Sequence, residues 1–557
     1  MKNVQKRKTL KKLAAVALAG VTLFGAGSMA ACGATNSEDL SGKLAIWLLD
    51  AGYGTEWADA MVEEYKKIYP DVEVAVVKDN MIASRFDATI RNPSTNDYDL
   101  IFSNSLNFNQ YIGINLKVGG KVYEDLLLNL SEELYGKKAI GKDGVEESKT
   151  VQQKIRDEFM TVVTNEDGNA YAYPYAGGAS GIIYNETLFT EKGWEIPETT
   201  SELIELTKKI YDEEVNVAGR AEDDKIYPWA WSGKYPSYWT FLTYSLYGGY
   251  VGQDNFDAFW ECKQYEGEGG YPGTKSNGDL SAPTAEVFRN EGRLEMLKVM
   301  EQILYPSASD TTISSSKTNG KYDDGRYIDG YCIPNSQDMT VDKAQRMFLE
   351  GKAAMYVCGS WLEREMSDWY ENHTDHTVRL KVMKTPVLDS AKTLWDKALA
   401  DDKVTQKEYD AAMNFNVSAG ADLVSVIPSY AEEKEEAVQF LRFMTSDYGA
   451  KIYAKHAKSI LPLKYDWNDT TWKTEFDEFV KPGSFLQSQI ELDKTCTYGY
   501  DGQRRGSIFL KNDFIAFYPN GQMPEPLLSR VTYSERKDAV TLYNQYYSVV
   551  SGAWKQQ

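Results

Sequence analysis

The 557 residues carry 61 Lys and Arg against 82 Asp and Glu, a formal charge of −21 at pH 7. No basic patch of the kind a nucleic-acid binder needs is evident, and anionic lipid headgroups would repel so acidic a body. The length suffices for two or three domains, and aromatics are abundant, with 38 Tyr, 20 Phe and 13 Trp. Tyr outnumbering Phe favours surfaces that are apolar on the ring face and polar at the rim, the chemistry that sugars also present.

Residues 1–31 have the layout of an export signal. Lys2, Lys6, Arg7, Lys8, Lys11 and Lys12 form a basic start, Leu13 to Phe24 an apolar stretch, and Gly25 to Ala31 a run of mostly small residues. An uncleaved membrane anchor is the competing reading, but Gly20, Gly25, Gly27 and Ser28 interrupt the apolar run. Met29-Ala30-Ala31-Cys32 resembles the lipobox of bacterial lipoproteins, with Met29 where Leu or Val is usual. The resemblance implies cleavage before Cys32 and a diacylglycerol, and then a palmitate-type acyl chain, on that residue. More than one chain is what stable anchoring requires. Residues 32–41 would be the tether. Losing 1–31, with six basic and no acidic side chains, leaves a formal charge of −27. No later segment is apolar and long enough to span a bilayer.

Lys43–Leu48 reads as a buried strand. Thr55 can cap a helix carrying Trp57, Met61, Val62, Tyr65 and Ile68 at helical spacing, with Pro70 beyond its end. Val72–Val77 is a strand, Ala83–Ile90 a helix and Tyr98–Phe102 a strand. This β-α-β-α-β order predicts a parallel sheet, whose ligands bind beyond the carboxyl ends of its strands. Farther on, Tyr171–Phe189 (YAYPYAGGASGIIYNETLF) is broken by Pro174, Gly177, Gly178 and Gly181 and resumes as a strand at GIIYN. In YPWAWSGKYPSYW, Trp229, Trp231, Tyr235, Tyr238 and Trp239 precede a helix ending at Gly248-Gly249. Met347–Met366 (MFLEGKAAMYVCGSWLEREM) gives a helix end, a strand over Ala353–Val357 and a Gly359-Ser360-Trp361 turn into a helix over Leu362–Tyr370. Leu423–Asp447 gives a strand, a Pro-Ser turn and a helix with Ala437, Phe440, Leu441 and Met444 on one face.

These stretches, in this order and with the lipobox, resemble the extracellular solute-binding proteins of ABC importers, in the branch that binds oligosaccharides and includes maltodextrin-binding protein. The terminal helix from Ser534 fits as well. The chain is about 100 residues longer than common members, with extra sequence near Lys117–Ile155, Tyr265–Tyr331 and Leu388–Asn414. The resemblance implies an α/β, type II periplasmic-binding-protein-like fold of two lobes joined by several crossovers, with the ligand in the cleft. Lobe 1 would hold 42–176 and 424–459, lobe 2 would hold 177–386 and 462–557, and 387–423 would be a crossover with an insertion. Gly177-Gly178 suits a hinge, because glycine absorbs large dihedral changes.

The same resemblance implies ligand contacts from Trp47 and Asp50 after the first strand, Asn104 after the third, Tyr175 at the first crossover, Trp231, Tyr235 and Tyr238 before the helix, and Trp361 as a platform under a sugar. Core packing is the alternative for each aromatic, most of all for Trp229 and Trp239. The implied partners are an oligosaccharide, membrane permeases and the membrane itself through Cys32. The implied protein is a monomer without cofactor, metal or catalytic residues, lipid-anchored on the outer face of a bacterial cell membrane. A surface-anchored glycoside hydrolase is the alternative, since an aromatic-lined cleft with two carboxylates would also serve. His373 and His376 in ENHTDH read as solvated surface, no GxSxG, HExxH or GxxxxGK[ST] is found, and Asp323-Asp324-Gly325 with Asp329 hints only weakly at calcium. Cys262, Cys332, Cys358 and Cys496 allow three pairings, and free thiols would suit an organism living without oxygen.

Overall fold

The computed structural model describes residues 43–304, 330–499, 518 and 537–555, apart from 105, 166, 419, 421 and 422. Cys32 with the signal and tether, the acidic loop at 323–329 and Ser534 lie outside the described residues.

The first sheet begins with β1 (Leu44–Leu49), all six residues buried. Then come α1 (Glu56–Ile68), β2 (Val74–Asp79), α2 (Ile82–Ile90) and β3 (Leu100–Asn104). Acidic residues in the first turn of α1 and lysines in its last oppose the helix dipole favourably. β1 pairs in parallel with β2 and β3, as the element order predicts. Two further strands join antiparallel: β4 (Tyr173–Pro174) and β10 (Leu423–Val426), giving the order β2-β1-β3-β10-β4. β10 is antiparallel to both β3 and β4, so it alone runs against the other four strands.

The second sheet holds β5 (Ser180–Asn185), β6 (Tyr227–Ala230), β7 (Ala353–Gly359) and β8 (Leu380–Val382), in the order β6-β7-β5-β8. Helix α3 (Thr240–Val251) lies between β6 and β7 in the chain and runs through Gly248-Gly249 without stopping. A Cβ on Gly248 would sit 2.0 Å from the Phe415 ring, so that glycine marks a close approach and not a helix end. After β7 the expected single helix is two, α4 (Leu362–Glu365) and α5 (Ser367–Asn372), divided at Met366. A third, two-stranded sheet joins β9 (Phe415–Val417) to β11 (Thr497–Gly499). Helices α6 (Lys434–Met444) and α7 (Asp447–Ala457) follow β10 and pack on α1 through Tyr65, Phe440, Phe443, Trp57 and Tyr453. Helix α8 (Phe485–Asp493) precedes β11, and α9 (Ala539–Trp554), capped by Asp538, closes the chain. No described helix is long and apolar enough to cross a membrane.

Where the chain passes between the sheets, its segments pack against one another. The Gly177 N–H donates to the Ile460 carbonyl at 3.0 Å, and Ile155 bridges Leu463. A Cβ on Gly177 would meet Pro462 at 2.5 Å, and one on Gly178 would meet Ser360 at 2.2 Å. Glycine is needed here for close packing. Cys262, Cys358 and Cys496 are buried free thiols. His373 and His376 are exposed, and His373 stacks on Trp369 at 4.5 Å.

Candidate functional site

The end of β1 and the turn after β7 face each other across the joint between the sheets. The first supplies the loop Asp50–Thr55, in which Gly54 takes a left-handed φ of +65°. The second supplies Gly359, Ser360, Trp361 and Arg364. A Cβ on Gly359 would lie 2.1 Å from the Trp361 ring, so the indole folds back over the strand end.

Tyr53 reaches across. Its hydroxyl lies 2.7 Å from Ser360 Oγ, and its ring meets Trp361 edge-on at 6.0 Å. Ser360 Oγ is in turn 3.0 Å from Ser459 Oγ, which is 3.2 Å from Gln489 Oε1. The Arg364 guanidinium pairs with Glu56 of α1, and its Nε would lie 2.5 Å from a Cβ on Gly54. Burial lowers the tendency of Arg364 to hold its charge, and Glu371, Asp50 and Asp368 oppose that.

Aromatic rings continue on both sides. Trp361 meets Tyr238 at 6.1 Å and Phe241 at 5.6 Å. Tyr53 meets Tyr453, Tyr453 meets Trp57, and Trp57 stacks with Tyr175, which contacts Phe102. Burial drives the hydroxyls of Tyr238 and Tyr453 far above the ordinary tyrosine range, so both stay protonated. A small hollow, wide enough for about one water, opens between Leu49, Ala51, Gly52, Tyr53, Gly54, Trp57, Tyr175 and Leu423.

Of the residues singled out from sequence, Trp361, Tyr238 and Tyr175 belong to this seam, and Asp50 lies exposed at its edge. Trp47 is buried elsewhere, stacked on Tyr98 at 4.9 Å with its Nε1 donating to Asp79 at 3.3 Å. Trp231 is buried beside Trp239, and Tyr235 is partly buried, its backbone N–H donating to Ser232. Asn104 is buried at the end of β3, opposite Leu423. Sequence reasoning missed Tyr53, Glu56 and Arg364. The one local signal was Gly52-Tyr53-Gly54 directly after a strand, a tyrosine held out on a turn.

The family model of the bacterial extracellular solute-binding proteins matches residues 51–451. The chain belongs to that family. Among curated proteins none matches it. Similar solved structures include the apo form of RafE from Streptococcus pneumoniae, with a TM-score of 0.53 at 14% identity, covering 92% of this chain and 97% of that one. The GacH receptor of Streptomyces glaucescens gives 0.51 at 13%, covering 93% and 98%. The ABC substrate-binding protein Lmo0181 from Listeria monocytogenes gives 0.51 at 12%, covering 92% and 99%. At these identities the likeness establishes the fold: this solute-binding protein has the two-lobe, type II architecture of such receptors.

Proposed function

We propose that this chain is the lipid-anchored sugar receptor of an ABC importer, which captures an oligosaccharide between its lobes and hands it to membrane permeases. The observation that carries the reading is the aromatic seam of Tyr175, Trp57, Tyr453, Tyr53, Trp361 and Tyr238, which runs across the joint between the two sheets. Flat rings beside protonated hydroxyls suit the C–H faces and hydroxyl rims of sugars. RafE has been solved with raffinose, GacH with acarbose and Lmo0181 with cycloalternan, which supports the same class of ligand here. Membership of a solute-binding family weighs against the hydrolase alternative.

The lobes on this reading are 42–176 with 424–459 and 177–386 with 462–557, joined through 387–423. Trp361, Tyr238, Tyr175 and Asp50 are the foremost ligand contacts, with Trp47, Asn104, Trp231 and Tyr235 behind them. An open and a closed arrangement exchange, and a sugar touching both lobes favours the closed one. Cys32 carries the lipid. Fatty-acid labelling that persists in Cys32→Ala would exclude the anchor.

Calorimetric titration of the mature protein with raffinose, acarbose and maltodextrins, followed by analysis of the sugars, tests the function. A saturating heat with the sugar recovered intact is expected. Cleaved sugar would move the protein to the hydrolases, and no heat with any oligosaccharide would remove the sugar reading.

A further inference from the structure

Helix α4 starts at Trp361 and sends its last two side chains to different places. Arg364 pairs with Glu56, while Glu365 points its carboxyl into the protein. Glu365 stands one turn beyond Trp361, and its N–H donates to the Trp361 carbonyl at 2.8 Å. The carboxyl meets the helix Val341–Leu349 and the end of β7. Gln345 of that helix is wholly buried. Its Nε2 donates to Glu365 Oε2 at 2.6 Å and lies 3.9 Å from Cys358 Sγ.

The amide is served on one side only. Its nitrogen has the carboxyl and the thiol, whereas Gln345 Oε1 is buried with no hydrogen-bond partner among the described residues. A bare buried acceptor is costly and uncommon. An ionised Glu365 leaves it bare, because a carboxylate only accepts, but a protonated one has an O–H to give. The titratable groups around the carboxyl discourage a charge as well. They are Asp342, paired with Arg346 at 3.0 Å, the Cys358 thiol, and the hydroxyls of Tyr356 and Tyr238. Burial raises the Glu365 carboxyl, the Gln345 bond lowers it and Asp342 raises it again, to about 7.

We propose that Glu365 carries a proton and gives it to Gln345 Oε1, so that acid and amide form a neutral, two-way pair that positions Trp361 and Tyr238. Tyr238 lies 6.1 Å from Trp361 and 6.3 Å from Tyr356, which joins the pair and the rings in one packed group. When the proton leaves for solvent, a carboxylate oxygen faces the Gln345 oxygen, and a charge stands among buried rings. The carboxylate then turns toward water and draws the first turn of α4, and Trp361 with it, out of place. Glu365 touches no ligand and acts through Trp361. The consequence for capture rests on the sugar reading above: affinity falls as pH rises past about 7.

The test compares the mature wild type with Glu365→Gln, both first shown to melt cooperatively, at pH 6 and pH 8. Infrared difference spectra read the proton itself. Wild type at pH 6 should show a protonated-carboxyl band that the variant lacks and that fades by pH 8. Hydrogen exchange at the amides of 359–366 reads the positioning. Relative to the variant, wild type should exchange about fivefold faster at pH 8 than at pH 6, the effect of one hydrogen bond of ordinary net worth. Calorimetric titration with raffinose reads the consequence. At pH 8 about a tenth of the molecules keep the proton, so wild type should bind about tenfold more weakly than at pH 6. The variant should bind equally at the two. If Glu365→Gln does not fold, Gln345→Met takes its place, and the band should then move to the higher frequency of a carboxyl without its partner. No carboxyl band in wild type at pH 6, or the same exchange ratio at both pH values, would overturn the pair. No raffinose heat at either pH counts against the sugar reading alone, and the infrared and exchange results still decide the pair.

Discussion

Two long-range ion pairs, one at Arg156 (here the back) and one at Arg364 (here the front), are built differently. At the back, Arg156 donates to the Asp493 carboxylate at 2.6 Å, lies over the Tyr498 ring at 4.6 Å, and gives its backbone N–H to the Pro462 carbonyl. Asp493 also accepts from Trp467 Nε1 at 2.8 Å and from the Tyr498 hydroxyl at 3.2 Å, and its side chain is 3% exposed. At the front, the Glu56–Arg364 pair is partly exposed and lies beside the buried Tyr53–Ser360 contact. A buried, many-donor pair cannot part without leaving a bare charge, at about 3–5 kcal/mol, while a partly exposed pair parts for about 0–1 kcal/mol. The difference teaches where a long-range pair holds the chain firmly and where it holds it loosely.

The largest effect is expected at the back. Asp493→Ala strands Arg156 in a buried site and should lower stability by about 3–5 kcal/mol in urea unfolding. A loss under 1 kcal/mol would erase the contrast between the two sides. Next comes a residue that separates the two faces of α4. Arg364 pairs with Glu56, whereas the Glu365 carboxyl turns inward, accepts from Gln345 Nε2 at 2.6 Å, and is pushed by burial up to about 7. The folded carboxyl keeps its proton to about pH 7, and an unfolded one loses it near 4.5. Glu365 therefore costs no stability below about pH 4.5, and stability falls as pH rises from there to about 7. Glu365→Gln should remove that fall and gain up to about 2–3 kcal/mol at pH 8, read from melts across pH. Equal slopes for variant and wild type would place the carboxyl in water.

The smallest effect lies between back and front. Gly178→Ala pushes a methyl onto Ser360 and should cost about 1–3 kcal/mol by overpacking. If the joint transmits, it should also loosen the Tyr53–Ser360 contact, seen as faster exchange at 359–364. Full protection there would confine the strain to the crossover.

The backbone was largely legible in the sequence. The residues of β1, α1, β2, α2 and β3 announced themselves within about two positions, because buried runs, 3.6-residue spacing and Pro70 are local signals. Gly248 misled because its cause, the Phe415 ring, is far along the chain. Trp361, expected as a platform under a sugar, and Trp229, for which core packing was the stronger alternative, are instructive together. Both are buried: Trp361 folds back over Gly359 at the joint, and the Nε1 of Trp229 donates to Thr207. The site was half legible for the same reason: the glycine turn around Tyr53 is local, but its partner Ser360 lies 307 positions away.

Trp361 offers the most direct test of capture at the front. It is 2% exposed, with Tyr53, Tyr238 and Phe241 around its ring. An oligosaccharide array probed with the mature wild type and with Trp361→Ala side by side decides the matter. The account predicts a set of glycans retained by the wild type and lost by a still-folded variant, a weakening of about 2 kcal/mol or more. Equal retention by the two proteins, or retention of no glycan by the wild type, would contradict it.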